Sequence, residues 1–429
     1  MAQKGLCWKE DEMGELVHTG TSSPDISVIR SLAMKHLPGS YDTMDVAFFA
    51  EGSFNKLYCV SSPHLPQDYL IRVALPVDPF FNRESEVATL AYIRKYTSIP
   101  VPKVLAFCSS SESELGFEWI LMEKIGGVPL SDIWDEMPVE AKESLPTEIC
   151  GYLKSHQDLQ FIKIGSLYFS LVRERVGTRD FGGTLQAIPT NTTLDCGINT
   201  DFVIGRAVSL WFFRDKRLSL SADRGPFPSS HQFMMAKTQM QIERIKHISP
   251  LPTDDFYSET DEVLAEEQDD VLDTCYSLEE FVSYIFPPPC EQYEDELLYH
   301  DDLSASNLLV DPVSYHVTEY PFFLRGIDVQ EPPPPRIPGT IEPELREIRK
   351  DWEKVCLRRL YTQTLQNHIE LSPDIMRKRK FSDCLENIEI NWTASRYWAR
   401  GVLQEARPSM QVPPMVMPTP SDQRLPPLP

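Results

Sequence analysis

The sequence predicts an α+β chain of two lobes, a small antiparallel sheet followed by a mainly helical half. Three observations predict it. Short apolar runs broken by turns recur between Met44 and Met122, the signature of adjacent strands. One helical stretch, Arg83 to Tyr96, interrupts them. Beyond Gly126-Gly127 the apolar residues fall mostly at helical spacing, and that glycine pair marks the change of lobe.

Taken in order, residues 1–43 read as a polar arm ending in a short helix around Asp25–His36. Residues 44–127 form the first lobe. Val46-Ala47-Phe48-Phe49 leads through the turn Glu51–Asn55 to the returning strand Leu57-Tyr58-Cys59-Val60. Tyr69–Leu75 is a third strand, and Lys103–Phe107 and Phe117–Met122 complete the sheet after the helix. Residues 128–330 form the helical second lobe, with helices at Ser230–His247 and Glu259–Ile285 and an irregular polar excursion over about 165–224. Residues 331–406 hold a proline linker and C-terminal helices, the first at Pro343–Gln366. Residues 407–429 carry eight prolines and read as a disordered or polyproline tail. Its P-x-x-P is a weak SH3-type ligand, because Arg424 sits one residue off the usual charged spacing.

Composition narrows the function. Lys and Arg number 41 against 64 acidic residues, a net charge of −23, which repels a phosphate backbone and argues against nucleic acid. Between Lys246 and Arg325 there is no Lys or Arg, so a cationic small-molecule substrate is the partner that face would attract. Nine scattered cysteines form no C-x-x-C and no zinc spacing, which suggests reduced thiols and a cytoplasmic location. The N-terminal residues read as neither signal nor transit peptide, and no apolar run reaches membrane-spanning length.

Two features carry chemistry. Arg72 is the single charge in an apolar strand, where an unpaired cation is costly. Glu86, Leu90 and Ile93 share one helical stripe, so Glu86 turns with the core-facing residues and can pair with Arg72. The pair is either a structural ion pair or a phosphate-holding device. The segment His300-Asp301-Asp302-Leu303-Ser304-Ala305-Ser306-Asn307 reads H-x-D-x-x-x-x-N and runs into Leu308-Leu309-Val310. That order brings an Asp to an acceptor hydroxyl and an Asn oxygen to a phosphate-bound cation from one loop. Backbone groups at Gly52-Ser53 could cap phosphates, and those from Glu123 to Ile125 could meet a base where the lobes join.

The runs Arg72-Val73-Ala74-Leu75-Pro76, Glu84–Leu90, Ser98–Val104, Leu115–Lys124, Gly127–Leu130 and Asp223–Phe227, with the H-x-D loop, resemble the fungal branch of the aminoglycoside phosphotransferase family over roughly residues 44–330. The resemblance implies a bilobal protein-kinase-like fold, ATP with Mg²⁺, and phosphorylation of a small-molecule hydroxyl. By match, Asp302 is the catalytic base, Asn307 a metal ligand, and His300 a support for the loop. Gly52, Ser53, Arg72, Glu86, Glu123 and Ile125 would contact the nucleotide.

One family part is missing. A second acidic motif should follow the hairpin after Asn307 and supply the main Mg²⁺ carboxylate. Here Val317-Thr318 passes directly into Glu319-Tyr320-Pro321, as if a strand and its loop were absent. Gly326-Ile327-Asp328-Val329 imitates the motif but lies too far along, and Glu319 is a still weaker substitute. Two expectations follow: a phosphotransferase impaired by that loss, or a catalytically inactive binding or scaffold protein.

Overall fold

A strand whose side chains alternate between two covered faces organises the first lobe. A computed structural model describes residues 5–10, 16–37, 39, 43–52, 54–157, 159–170, 192–193, 202–214, 217–248, 259–288, 296–297, 305–320 and 373–410. Strands β1 (Leu6–Glu10) and β2 (Leu16–Gly20) form a hairpin, and helix α1 (Ile26–His36) follows, its first turn capped by the Asp25 carboxylate. The expected polar arm thus contains a hairpin, and Leu6 is buried against the main core. Strands β3 (Asp45–Glu51), β4 (Asn55–Ser61) and β5 (Tyr69–Ala74) come next, then helix α2 (Phe81–Tyr96), β6 (Val104–Cys108) and β7 (Trp119–Glu123). They build an antiparallel sheet in the order β6-β7-β5-β4-β3.

All six residues of β5 are buried, because the sheet is covered on both faces. Tyr69, Ile71 and Val73 join Ile29, Leu32 and Ala33 of α1, whereas Leu70 packs with Val87, Ala88 and Leu90 of α2. The two-residue period of a strand therefore puts Arg72 on the α2 side.

β8 (Val128–Pro129) begins the second lobe, followed by the single turn α3 (Leu130–Ile133) and the long α4 (Val139–Gln157). β9 (Gln160–Phe161) and β10 (Ser166–Phe169) follow; β11 (Thr192–Thr193) adds to the edge of the first sheet at β6. β12 (Phe202–Gly205) pairs antiparallel with β10, so the excursion expected to be irregular contains ordered strands. Four helices come next: α5 (Leu210–Phe213), α6 (Ser230–Lys246), α7 (Glu259–Glu266) and α8 (Gln268–Ile285). The single helix expected over Glu259–Ile285 is thus two, parted at Glu267, whose ψ of 17° leaves the helical range. β13 (Glu296–Leu297) pairs with β9, and β14 (Leu309–Val310) joins β8 on one side and β15 (Val317–Glu319) on the other. Helices α9 (Pro373–Glu386) and α10 (Ile388–Met410) pack Phe381, Leu385 and Ile388 against Val271, Phe281 and Ile285 of α8. α10 is kinked at Asn391. Trp398 and Trp392 pack against this core, and the Trp392 indole also donates to Glu267. The helix expected at Pro343–Gln366 and the proline tail lie outside the described residues. No described helix is long and apolar enough to cross a membrane.

Candidate functional site

Arg72 meets Glu86 as the two periodicities require. Arg72 Nη1 donates to Glu86 Oε1, and both side chains are buried. The sequence reading missed a third member. Arg83, one turn before Glu86 on α2, donates from Nη1 to Glu86 Oε2 and from Nη2 to Asn55 Oδ1 at 3.2 Å. An i,i+3 pairing on a helix was the signal available for it. One carboxylate thus serves two buried guanidinium groups. Burial lowers the Arg72 pKa, while the charge of Glu86 works against that shift.

The charge of a second carboxylate also acts on Arg72. Glu319, at the end of β15, is half-buried; burial raises its pKa and the Arg72 charge pulls it back. β15 runs antiparallel to β14, with Glu319 opposite Leu309, two residues beyond Asn307. The return strand, expected to be absent, is present as β15, and it brings Glu319, ranked low from sequence, into the electrostatic neighbourhood of Arg72. Asp328, ranked ahead of it, lies outside the described residues, as do His300, Asp302 and Ser53.

Four further candidates, Gly52, Glu123, Ile125 and Asn307, are among the described residues. Gly52 N–H donates to Asn55 O at 2.9 Å, closing the turn between β3 and β4. Phe54 in that turn packs edge-on against Phe213 of α5, with ring centroids 5.9 Å apart. Asn307 is half-buried in the turn leading into β14. Glu123 N–H donates to Lys103 O at 3.0 Å, and Lys124 N–H to Asp68 O at 3.3 Å, so both are committed within the first lobe. Ile125, just past them, is half-buried and makes no backbone hydrogen bond among the described residues. Beyond it, Gly127 (φ 140°) lies beneath β14–β15, where an added Cβ would sit 2.4 Å from Thr318 Oγ1. Only glycine lets the connection between the lobes pass this close to the hairpin.

A sheet lobe, a helical lobe, and a buried cation–carboxylate pair near the hairpin that follows H-x-D-x-x-x-x-N define the kinase-like phosphotransferase class. The family model of the phosphotransferase enzyme family matches residues 45–316, and the chain belongs to that family. Among curated relatives, a subtelomeric hrmA-associated cluster protein of Aspergillus fumigatus is 32% identical over 42% of this chain and 33% of its own length. The Altered inheritance of mitochondria protein 9 of Zygosaccharomyces rouxii is 24% identical over 67% of this chain and 49% of its own. The chain thus spans about a third to a half of the length of these relatives. Among solved structures, an aminoglycoside phosphotransferase mutant with AMP-PNP and hygromycin B aligns at 12% identity and a TM-score of 0.40, covering 90% of this chain and 100% of that one. A Plasmodium vivax ethanolamine kinase aligns at 16% identity and a TM-score of 0.36, covering 69% and 61%.

These relatives correct the cytoplasmic location expected from the cysteines. The Altered inheritance of mitochondria protein 9 sequences bear a mitochondrial designation. Unpaired thiols report a reducing environment, and that does not single out the cytosol.

Proposed function

We propose that this chain is an ATP-dependent phosphotransferase acting on a small-molecule hydroxyl, with turnover limited by its shortened metal-binding hairpin. The observation that supports it best is Arg72, held by Glu86 and within the electrostatic influence of Glu319. Such a cation suits phosphate oxygens, and its planar fork is held in place by the carboxylate beneath it.

The donor set favours a hard cation carried in with the nucleotide. Asn307 offers an amide oxygen and Glu319 a carboxylate, both oxygen donors of the kind Mg²⁺ prefers. Among the described residues no three His, Cys, Asp or Glu side chains cluster as a self-sufficient cage. The fit is therefore to Mg²⁺ whose remaining ligands are phosphate and water. Bound Mg-ATP would supply the transferable phosphoryl group. Asp302, by its place in the loop, would accept the acceptor's proton, and the Gly52 turn would cover the phosphates. Ile125 is the backbone position we assign to the base. The acceptor we favour carries positive charge, given the acidic stretch between Lys246 and Arg325. Mitochondrial location, as designated for the Altered inheritance of mitochondria protein 9 relatives, is part of the same proposal.

Calorimetric titration with ATP, with and without Mg²⁺, tests the reading. We expect binding that Mg²⁺ strengthens and that Arg72→Met abolishes, together with slow turnover lost in Asp302→Ala. Binding indifferent to both Mg²⁺ and Arg72→Met would overturn it and leave a non-catalytic binding protein.

A further inference from the structure

We propose that the cleft between α9 and α10 is a second small-molecule site, one that takes an anion with a flat apolar body, such as an aryl phosphate or aryl carboxylate. The cleft has a volume of about 800 Å³ and is lined by Arg377 and Lys380 of α9 and by Thr393, Tyr397 and Trp398 of α10. That volume falls in the range of small-molecule sites, which are mostly apolar with a few polar groups that fix orientation.

Charge is the first argument. In a chain of net charge −23, Arg377-Lys378-Arg379-Lys380 is an uninterrupted basic run. Several cations of the helical lobe are answered by carboxylates: Lys237 by Glu386 at 2.7 Å, Arg396 by Asp270 at 2.6 Å, and Arg244 by Asp261 at 2.5 Å. Arg377 and Lys380 are exposed, and neither has a carboxylate at ion-pair distance among the described residues. Their i,i+3 spacing sets like charges side by side on one helix face, an arrangement that repels itself until an anion binds.

The aromatic wall is the second argument. Tyr397 is 83% exposed, far more than a ring of that size needs to be on a helix packed into the lobe. Trp398 beside it is anchored edge-on to Phe381, with centroids 6.3 Å apart. The floor at Val402 is buried and apolar, and at Gly401 an added Cβ would meet nothing within 4 Å, so the cleft stays open there. An apolar ring laid against Tyr397 and Trp398 could direct its anionic group to Arg377 and Lys380. Two cations and a concave wall of this size suit a small molecule better than an extended acidic protein surface.

Calorimetry with 1-naphthyl phosphate as probe tests the site on the full chain. We expect saturable binding, weakened at least tenfold in Arg377→Glu/Lys380→Glu and weakened also by Tyr397→Ala and by added salt. The neutral analogue 1-naphthol should bind at least tenfold more weakly than the phosphate. The single exposed substitution Lys380→Gln, checked for an unchanged melting temperature, keeps the test decisive if the double variant misfolds. Absence of saturable binding, or affinity that survives both Lys380→Gln and the charge reversal, overturns the proposal.

Discussion

Arg206 reaches both carboxylate oxygens of Asp78, at 2.8 and 2.9 Å, across 128 residues of chain. Asp78 precedes α2 and Arg206 follows β12, so the pair fastens the start of the helix carrying Glu86 to the second lobe. The Arg206 guanidinium also lies 4.4 Å from the centre of the Phe81 ring, and its backbone carbonyl accepts the Tyr168 hydroxyl at 2.8 Å. Asp78→Asn should cost about 3–5 kcal/mol, because it strands a buried guanidinium. The double substitution Asp78→Leu/Arg206→Met should cost much less than the single, since no charge is then left uncompensated. Urea unfolding of the two variants checks this; equal losses would refute it.

Glu86 should be the less replaceable member of its trio. Glu86→Gln removes the charged carboxylate that accepts from both Arg72 and Arg83, and we expect a loss of about 3–5 kcal/mol in guanidinium unfolding. Arg83→Met should be milder, because Arg72 keeps its carboxylate. The opposite ranking would show that Arg83, not Glu86, organises the cluster.

Glu118 gives the protein a defined pH response. Its carboxylate accepts the Phe80 N–H at 2.6 Å, and burial pushes its pKa up to about 8. The folded form therefore holds a proton that the unfolded chain releases nearer the ordinary value of 4.5. Between about 4.5 and 8, the unfolded state binds fewer protons, so this group's contribution to stability falls as pH rises. Glu118→Gln keeps an acceptor for Phe80 and removes the titration. Melting temperatures across that window should decline less steeply in the variant than in the parent.

Two adjacent glycines should behave differently. Gly127→Ala forces a Cβ onto Thr318 Oγ1 at a φ of 140°, and should cost about 1–3 kcal/mol. At Gly126 an added Cβ meets nothing within 4 Å, so Gly126→Ala should stay within about 1 kcal/mol of the parent. Denaturant midpoints decide it, and similar effects at both positions would contradict the close approach of hairpin and hinge.

Much of the first lobe was legible because its signals are local. A two-residue period through Tyr69–Ala74 and a helical stripe through Glu86, Leu90 and Ile93 each choose a face without knowledge of the rest of the chain. Once the faces are chosen, Arg72 and Glu86 must meet. The hairpin at Leu6–Gly20 escaped notice because its strands are short and carry polar residues, and β10–β12 because its partners lie far apart in a polar stretch.

The order of amino acids by itself determined the sheet and its covering helix, and the cation-and-carboxylate couple between them. Only the tertiary structure decided that Arg83 shares Glu86, that Arg206 ties down Asp78, and that Glu319 of the β14–β15 hairpin comes near Arg72 as well. The physical reason is reach. Periodicity fixes which way a side chain points along its own element, but the depth at which elements pack and the register in which strands align decide what it meets there.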